Sequence, residues 1–316
     1  MLSEKKQYVL AVPNFSNGQD KNIIDQVTAE VSKVSGVKLI SVEPEHDFNR
    51  TVVTFIGEPQ PVKKALVNMG AKAAELIDMS AQKGSHPRIG AQDTLPIFPF
   101  LNISLEECAS LAEEIGKEFF EKTKIPVFFA GENARTPERA SFAYIRKGQY
   151  EGLRQLLLDT QSDAERVKEY EGRKPDYSID GLLNDKAGGT IVSCEANGLT
   201  AYNIFLNTEN LNIAKDIAKA VRGPSGGFSS IRAVGIKFPE HEGVVVSMNM
   251  FDCMNTPIQR VFDFCRREAE RFGVSVTGSQ LVGPIKLEAV IQSFLYSLSL
   301  EDFRQSQILE THLMEI

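Results

Sequence analysis

The chain is poor in the patterns that mark the commoner chemistries. Its 316 residues hold four cysteines, Cys108, Cys194, Cys253 and Cys265, scattered with no Cys-x-x-Cys pair. Such spacing fits buried thiols in a reducing cytosol and argues against a metal site. No uninterrupted apolar run is long enough to span a bilayer, and the polar, lysine-bearing start gives way to Pro13 without resembling a secretory signal. Blocks of like charge are missing and the net charge is −7, so neither nucleic acid nor an anionic membrane is an expected partner. There is no Gly-x-x-x-x-Gly-Lys loop, which disfavours nucleotide hydrolysis, and no activated serine or cysteine motif. What remains is a 42% hydrophobic, globular composition with only four histidines, expected to be cytoplasmic and to act on small molecules.

The order of patterns gives the architecture. Residues 7–12 read as a strand stopped by Pro13, and Ile23, Ile24, Val27, Val31 and Val34 recur at helical spacing up to Gly36. Strands follow over 37–42 and 51–56, separated by a polar loop from Glu43 to Arg50. Glu58-Pro59 opens a helix to Leu76, and a short strand covers 95–98. This is βαββαβ, the ferredoxin-like pattern. A Ser104-x-x-Glu107 capping box starts a further helix to about Thr123, followed by a strand over 126–130. Residues 159–189 turn strongly charged and then Gly-rich, and the domain boundary is placed there, giving domains 1–179 and 180–316. The second half repeats the pattern: strand 199–206, helix 211–221, strands 231–238 and 244–250, a helix from Thr256-Pro257 to Phe272, strand 274–281, and a helical tail from Leu287. The expected class is α/β (α+β) with two βαββαβ halves.

Few polar clusters fall in loops rather than on amphipathic faces. The foremost is Lys83-Gly-Ser-His86-Pro-Arg88-Ile-Gly90-Ala-Gln-Asp93. Pro87 fixes its own φ and pushes His86 toward an extended backbone, while Gly84 and Gly90 permit close approach. An imidazole on such a loop, with Arg88 and Asp93 nearby, suits proton transfer near neutral pH; the alternative is a polar turn whose histidine caps something. Asn14 with Ser16, the Glu43–Arg50 loop, and Glu132 with Asn133 can converge on it at one end of the sheet. They supply carboxylates (Glu43, Asp47, Glu132) and cations (Arg50, Arg88). His46 is the rival histidine, in a freely charged loop; His241 and His312 fall in a turn and in the tail. Ser225-Gly226-Gly227 joins a helix to a strand and reads as a connector.

In this order the residues resemble the glutamate formimidoyltransferase family. The resemblance rests on Val12-Pro-Asn14-Phe-Ser16, Asn49-Arg50-Thr-Val-Val-Thr-Phe-Ile-Gly57, Leu76-Ile-Asp-Met-Ser80, His86-Pro-Arg88-Ile-Gly90 with Asp93, Tyr202-Asn-Ile-Phe-Leu-Asn-Thr208, Arg267-Glu-Ala-Glu-Arg271 and Gly278-Ser279. It covers nearly the whole chain. It implies two subdomains with sheets facing each other across a cationic folate tunnel, tetrahydrofolate as co-substrate, and a homodimer. It places the family's catalytic histidine on His86 and its acidic partner on Glu43. Asn14, Asn49, Arg50, Arg88 and Glu132 become substrate-binding residues, the arginines as carboxylate clamps. The folate-contacting linker falls on Ser178, Asp180, Gly181, Asp185, Lys186 and Gly188. The implied reaction moves a formimidoyl group from N-formimidoyl-L-glutamate to tetrahydrofolate. Formyl exchange between 5-formyltetrahydrofolate and glutamate, or folate binding without turnover, are the alternatives. Two departures stand out: Glu43 where relatives carry aspartate, and Val192-Ser-Cys194-Glu195 where they carry a Val-Gly-Ala-Arg-like segment.

Overall fold

Tyr8–Ala11 alternates half-buried and buried residues, which is how a strand with one face on a core reads, and it forms β1. The computed structural model describes residues 6–159, 163–196, 198, 200–238, 242–283 and 285–309. The chain forms two compact units, Met1–Ala196 and Asn197–Ile316.

In the first unit β1 leads to β2 (Asn14–Phe15), α1 (Lys21–Ser32), β3 (Val37–Glu45), β4 (Arg50–Gly57), α2 (Pro59–Leu76) and β5 (Gln92–Leu101). Asp20 caps α1 by accepting from the Asn22 and Ile23 N–H groups, and Pro59 starts α2, where its missing N–H costs nothing. The strands pair antiparallel in the order β5-β1-β4-β3, the ferredoxin-like order, with β2 resuming the line of β1 after Pro13. Val9, Ala11, Val53, Phe55, Leu95 and Ile97 point from the sheet into one core with Val27, Val31, Leu66 and Met69 of α1 and α2.

The sheet then grows. α3 (Leu105–Thr123), begun by the expected Ser104–Glu107 capping box, carries the chain to β6 (Val127–Gly131). A strand that the patterning did not reveal, β7 (Thr190–Cys194), lies parallel between β5 and β6. Between β6 and β7 run α4 (Phe142–Ile145), α5 (Gln149–Leu158) and α6 (Ala164–Arg173). The units therefore divide after Ala196 rather than at the expected 179/180. The reason lies in buried charge. Arg173, 2% exposed, donates to the Ile145 and Lys147 carbonyls. Asp176 accepts from the Phe129 N–H at 2.7 Å and pairs with the buried Arg139. The charged segment is pinned to the first sheet.

The second unit has β8 (Thr200–Leu206), α7 (Leu211–Val221), β9 (Ile231–Lys237), β10 (Val244–Met250), α8 (Ile258–Arg271) and β11 (Val276–Val282), paired antiparallel as β11-β8-β10-β9. This is the second βαββαβ set that the sequence predicts. Tyr202, Ile204, Val244, Val246, Met248 and Met250 meet Ile217, Val261 and Cys265 in a core of their own. α9 (Leu287–Leu298) follows. His241 and His312 lie outside the described residues.

Candidate active site

The His86 loop is strapped to the structure from three directions. Toward the β3–β4 hairpin, Asn49 adopts φ +49°, a left-handed conformation that asparagine tolerates. Its side chain accepts from the Gly18 N–H at 2.9 Å and donates to the Lys83 carbonyl at 2.6 Å. A Cβ on Gly84 would run into the Phe48 carbonyl, so only glycine lets the loop lie on the hairpin tip. On the other flank Gly90 bridges Gly188, with Ala91 N–H donating to Ala187 at 2.8 Å and Gly189 N–H to Ile89 at 3.0 Å. Below, Ser16 Oγ donates to the Gly90 carbonyl at 2.7 Å, and Asp93 accepts from the Ile89 N–H at 2.7 Å while pairing with Arg146. The imidazole therefore stands on a rigid support.

His86 Nε2 lies 2.7 Å from Arg50 Nη1. A guanidinium can only donate, so Nε2 carries the lone pair and the proton sits on Nδ1. Arg50 is fixed in turn by Glu45, whose Oε2 accepts from Nε and Nη2, each at 2.5 Å. Phe48 presents its ring edge-on to the imidazole, with centroids 6.3 Å apart, and also lies 5.7 Å from the Arg50 guanidinium. Burial, followed by the Arg50, Arg146 and Arg88 charges, pushes the imidazole from its usual 6.5 down to about 3. At neutral pH it is uncharged, the form a general base requires.

Other expected residues fall into two groups. Asn14, Glu43, Asn49 and Arg50 come to the His86 end of the sheet: Asn14 pairs with both Val52 and Thr94, and Glu43 with Val52. Glu43 and Glu45 share a face of β3, and the Glu43 side chain makes no hydrogen bond or ion pair among the described residues. Asn14 donates to Thr94 Oγ1 at 2.6 Å, and its Oδ1 is buried without a protein partner. Glu132 does not join them. It follows Gly131, which aligns with Cys194 and so with Ile97, whereas Arg50 lies beyond the level of Thr94. That separation is roughly 20 Å along the strands at about 3.3 Å per residue. Glu195 lies at the same far end, its N–H on the Ile97 carbonyl at 2.9 Å and its carboxyl pushed by burial up to about 7.

Arg88 is no clamp in this geometry. It is 4% exposed, and all five of its N–H groups have acceptors: Gln82 Oε1 at 2.8 Å, the Gln82 carbonyl at 3.2 Å, Gln149 Oε1 at 2.8 Å and both Glu151 oxygens at 2.8 Å. It ties the loop to α5. Asp93, expected near the imidazole, serves Ile89 and Arg146. His46 sits exposed on the hairpin turn beside Asp47.

In the 178–188 segment, Ser178 Oγ accepts from the Gly181 N–H at 2.9 Å and Asp180 from the Leu182 N–H at 3.0 Å, both shaping turns. Gly181 and Gly188 take φ of +80° and +72°. Asp185 pairs with Arg154 at 2.7 Å and Lys186 donates to the Glu75 carbonyl at 2.6 Å. These two line an open pocket of about 570 Å³ with Asp78, Ser80, Tyr150, Glu151 and Arg154; His86 is not among its lining residues. Glu45, Gln82, Gln149 and Glu151 were not singled out in the sequence. Only Glu45 left a readable signal there, since the hairpin places it opposite Arg50.

The chain thus holds an uncharged imidazole on a rigid loop, in a sheet unit whose βαββαβ order a second unit repeats. The model of the formiminotransferase domain, N-terminal subdomain, matches residues 8–195, and that of the formiminotransferase domain matches residues 201–315. The chain belongs to the formiminotransferase family. It is 35% identical over 307 residues to the glutamate formimidoyltransferase of Streptococcus pyogenes serotype M1, covering 97% of this chain and 98% of that one. It is 36% identical over 304 residues to the glutamate formimidoyltransferase of Thermoplasma acidophilum, covering 96% of each. The formimidoyltransferase-cyclodeaminase of Mus musculus is 35% identical over 91% of this chain, which spans 52% of that longer protein.

Proposed function

We propose that the chain transfers the formimidoyl group from N-formimidoyl-L-glutamate to tetrahydrofolate, releasing L-glutamate, as a step of histidine breakdown. The observation that carries this reading is the end-to-end match to two glutamate formimidoyltransferases. The site supports it with a neutral imidazole and an adjacent guanidinium. Tetrahydrofolate is the co-substrate, and the chemistry asks for no metal. The N5 amine attacks the formimidoyl carbon, forming the N5–C bond of a tetrahedral intermediate. His86 takes the N5 proton and delivers it to the glutamate nitrogen as the C–N bond breaks. Such a base contributes about 10²–10⁴-fold. Arg50 offers a bidentate-capable cation for a glutamate carboxylate, Glu43 and Asn14 line the same sheet face, and Asn49 and Arg88 hold the loop. The 178–188 segment is read as the folate-contacting edge, supported by the packing of Gly188 on Gly90. Replacing His86 by alanine should abolish turnover while folate affinity stays within about twofold; surviving turnover would remove His86 from the mechanism.

The active form is read as a cytoplasmic homodimer. No helix among the described residues is long and apolar enough to cross a membrane. Leu287, Val290, Phe294 and Leu298 recur at helical spacing along α9 and are all exposed, an apolar stripe suited to a second copy.

A further inference from the structure

The geometry that makes His86 neutral also disables it. Its Nε2 lone pair is occupied by the Arg50 Nη1 donor, and a lone pair so occupied cannot receive a substrate proton. We propose that Arg50 is a latch on the base, that Glu45 positions the latch, and that the carboxylate of an incoming N-substituted glutamate releases it. This rests on the reading of His86 as the base.

Three guanidinium charges act on the imidazole: Arg50 from β4, Arg88 from its own loop and Arg146 from the end of α4. All five N–H groups of Arg88 are taken, and Arg146 is held through Nη2 by Asp93. Glu45 from β3 holds Arg50 only by Nε and Nη2. Three N–H groups remain, one on Nη2 and two on Nη1, and one of those on Nη1 goes to the imidazole. A neutral imidazole is a weaker partner for Nη1 than a carboxylate, which forms a charge-assisted bond. A carboxylate that closes bidentately on the Nη1–Nη2 edge draws Nη1 away from His86. Two changes follow together. Nε2 becomes free, and the added negative charge, with that of Glu45, favours the protonated imidazole. The base is switched on only when the group to be transferred is in place.

The test is a histidine-labelled NMR titration of the full chain, with the His86 signals assigned by comparison with His86→Ala. Glutarate, a dicarboxylate with nothing to transfer, is the probe. Without it, His86 should stay in the Nδ1–H form through mildly acidic pH. With it, the Nε2 signal should shift and proton affinity should rise by about tenfold or more, one pKa unit. Arg50→Met should show the raised affinity without glutarate and no response to it. Glu45→Gln should move the acid limb of kcat to lower pH, since the substrate complex then holds one carboxylate against Arg50 instead of two. A purely structural role for Glu45 would leave that limb in place. An unchanged His86 titration up to the solubility limit of glutarate overturns the latch. The titration involves no turnover, so its outcome is separate from the His86→Ala test of the transfer reaction.

Discussion

Replacing Arg88 by alanine separates two roles that the sequence alone could not. A clamp for a substrate carboxylate needs free donors, and Arg88 has none, all five being held by Gln82, Gln149 and Glu151. Glu151 is 54% exposed in its side chain and rehydrates at little cost when its partner is lost. Gln82, 8% exposed, would keep two acceptors unpaired at about 1–3 kcal/mol each, though such terms do not simply add. A net loss of about 3 kcal/mol is expected. For a cooperative unit of this size that lowers Tm by roughly 6–12 °C. Arg88→Lys should recover little of it, because an ammonium cannot reproduce the fork. Thermal and urea unfolding, with steady-state kinetics on the folded fraction, give the answer. The expected pattern is lower stability and lower kcat with KM for the glutamate substrate changed by less than about threefold. A rise in KM beyond about tenfold at unchanged Tm would refute the assignment, since that is the 1.4 kcal/mol signature of a lost ligand contact.

Further outcomes follow from the same geometry. Gly188→Ala places a Cβ against the Ile89 carbonyl at φ +72°, and should lower stability by at least about 1–2 kcal/mol and reduce kcat by displacing the His86 loop. Urea midpoints and turnover of the variant check both. Glu195 has its folded pKa raised to about 7 from 4.5, so its contribution is fully present below 4.5 and is lost as pH rises through 7. Between pH 5 and 8 the first unit should lose on the order of 2 kcal/mol, and Glu195→Gln should flatten that slope in denaturation curves. Phe294→Glu on α9 should shift light-scattering mass from dimer to monomer; a dimer that persists would place the interface elsewhere.

The fold was legible wherever periodicity was strong. Both βαββαβ sets followed from β-branched and aromatic runs such as Thr51–Ile56, ended by Gly57, and from helical spacing such as Ala214, Ile217 and Val221. Thr190–Cys194 escaped because it is buried throughout, leaving no alternation, and follows a Gly-Gly turn that reads as loop. α6 escaped because its face is almost wholly charged, and it is tied to the unit by the buried Arg173 rather than by an apolar stripe. At the site, His86 and Arg50 were visible as chemistry-bearing residues in punctuated loops. Their mutual contact was not, being set by how Asn49 and Gly84 dock two loops 36 residues apart. Glu132 was misplaced for a related reason. Without β7 its strand had no register, and β7 carries it to the opposite end from His86. The Cys194-Glu195 departure sits at that far end too, so it does not remove a cation from beside the imidazole.

The most direct test of transfer is to incubate the purified protein with tetrahydrofolate and N-formimidoyl-L-glutamate, acidify, and read methenyl-tetrahydrofolate absorbance. The account predicts a signal that depends on the protein and is lost in His86→Ala. No signal here, with formylglutamate produced from 5-formyltetrahydrofolate and glutamate in a parallel reaction, would contradict it.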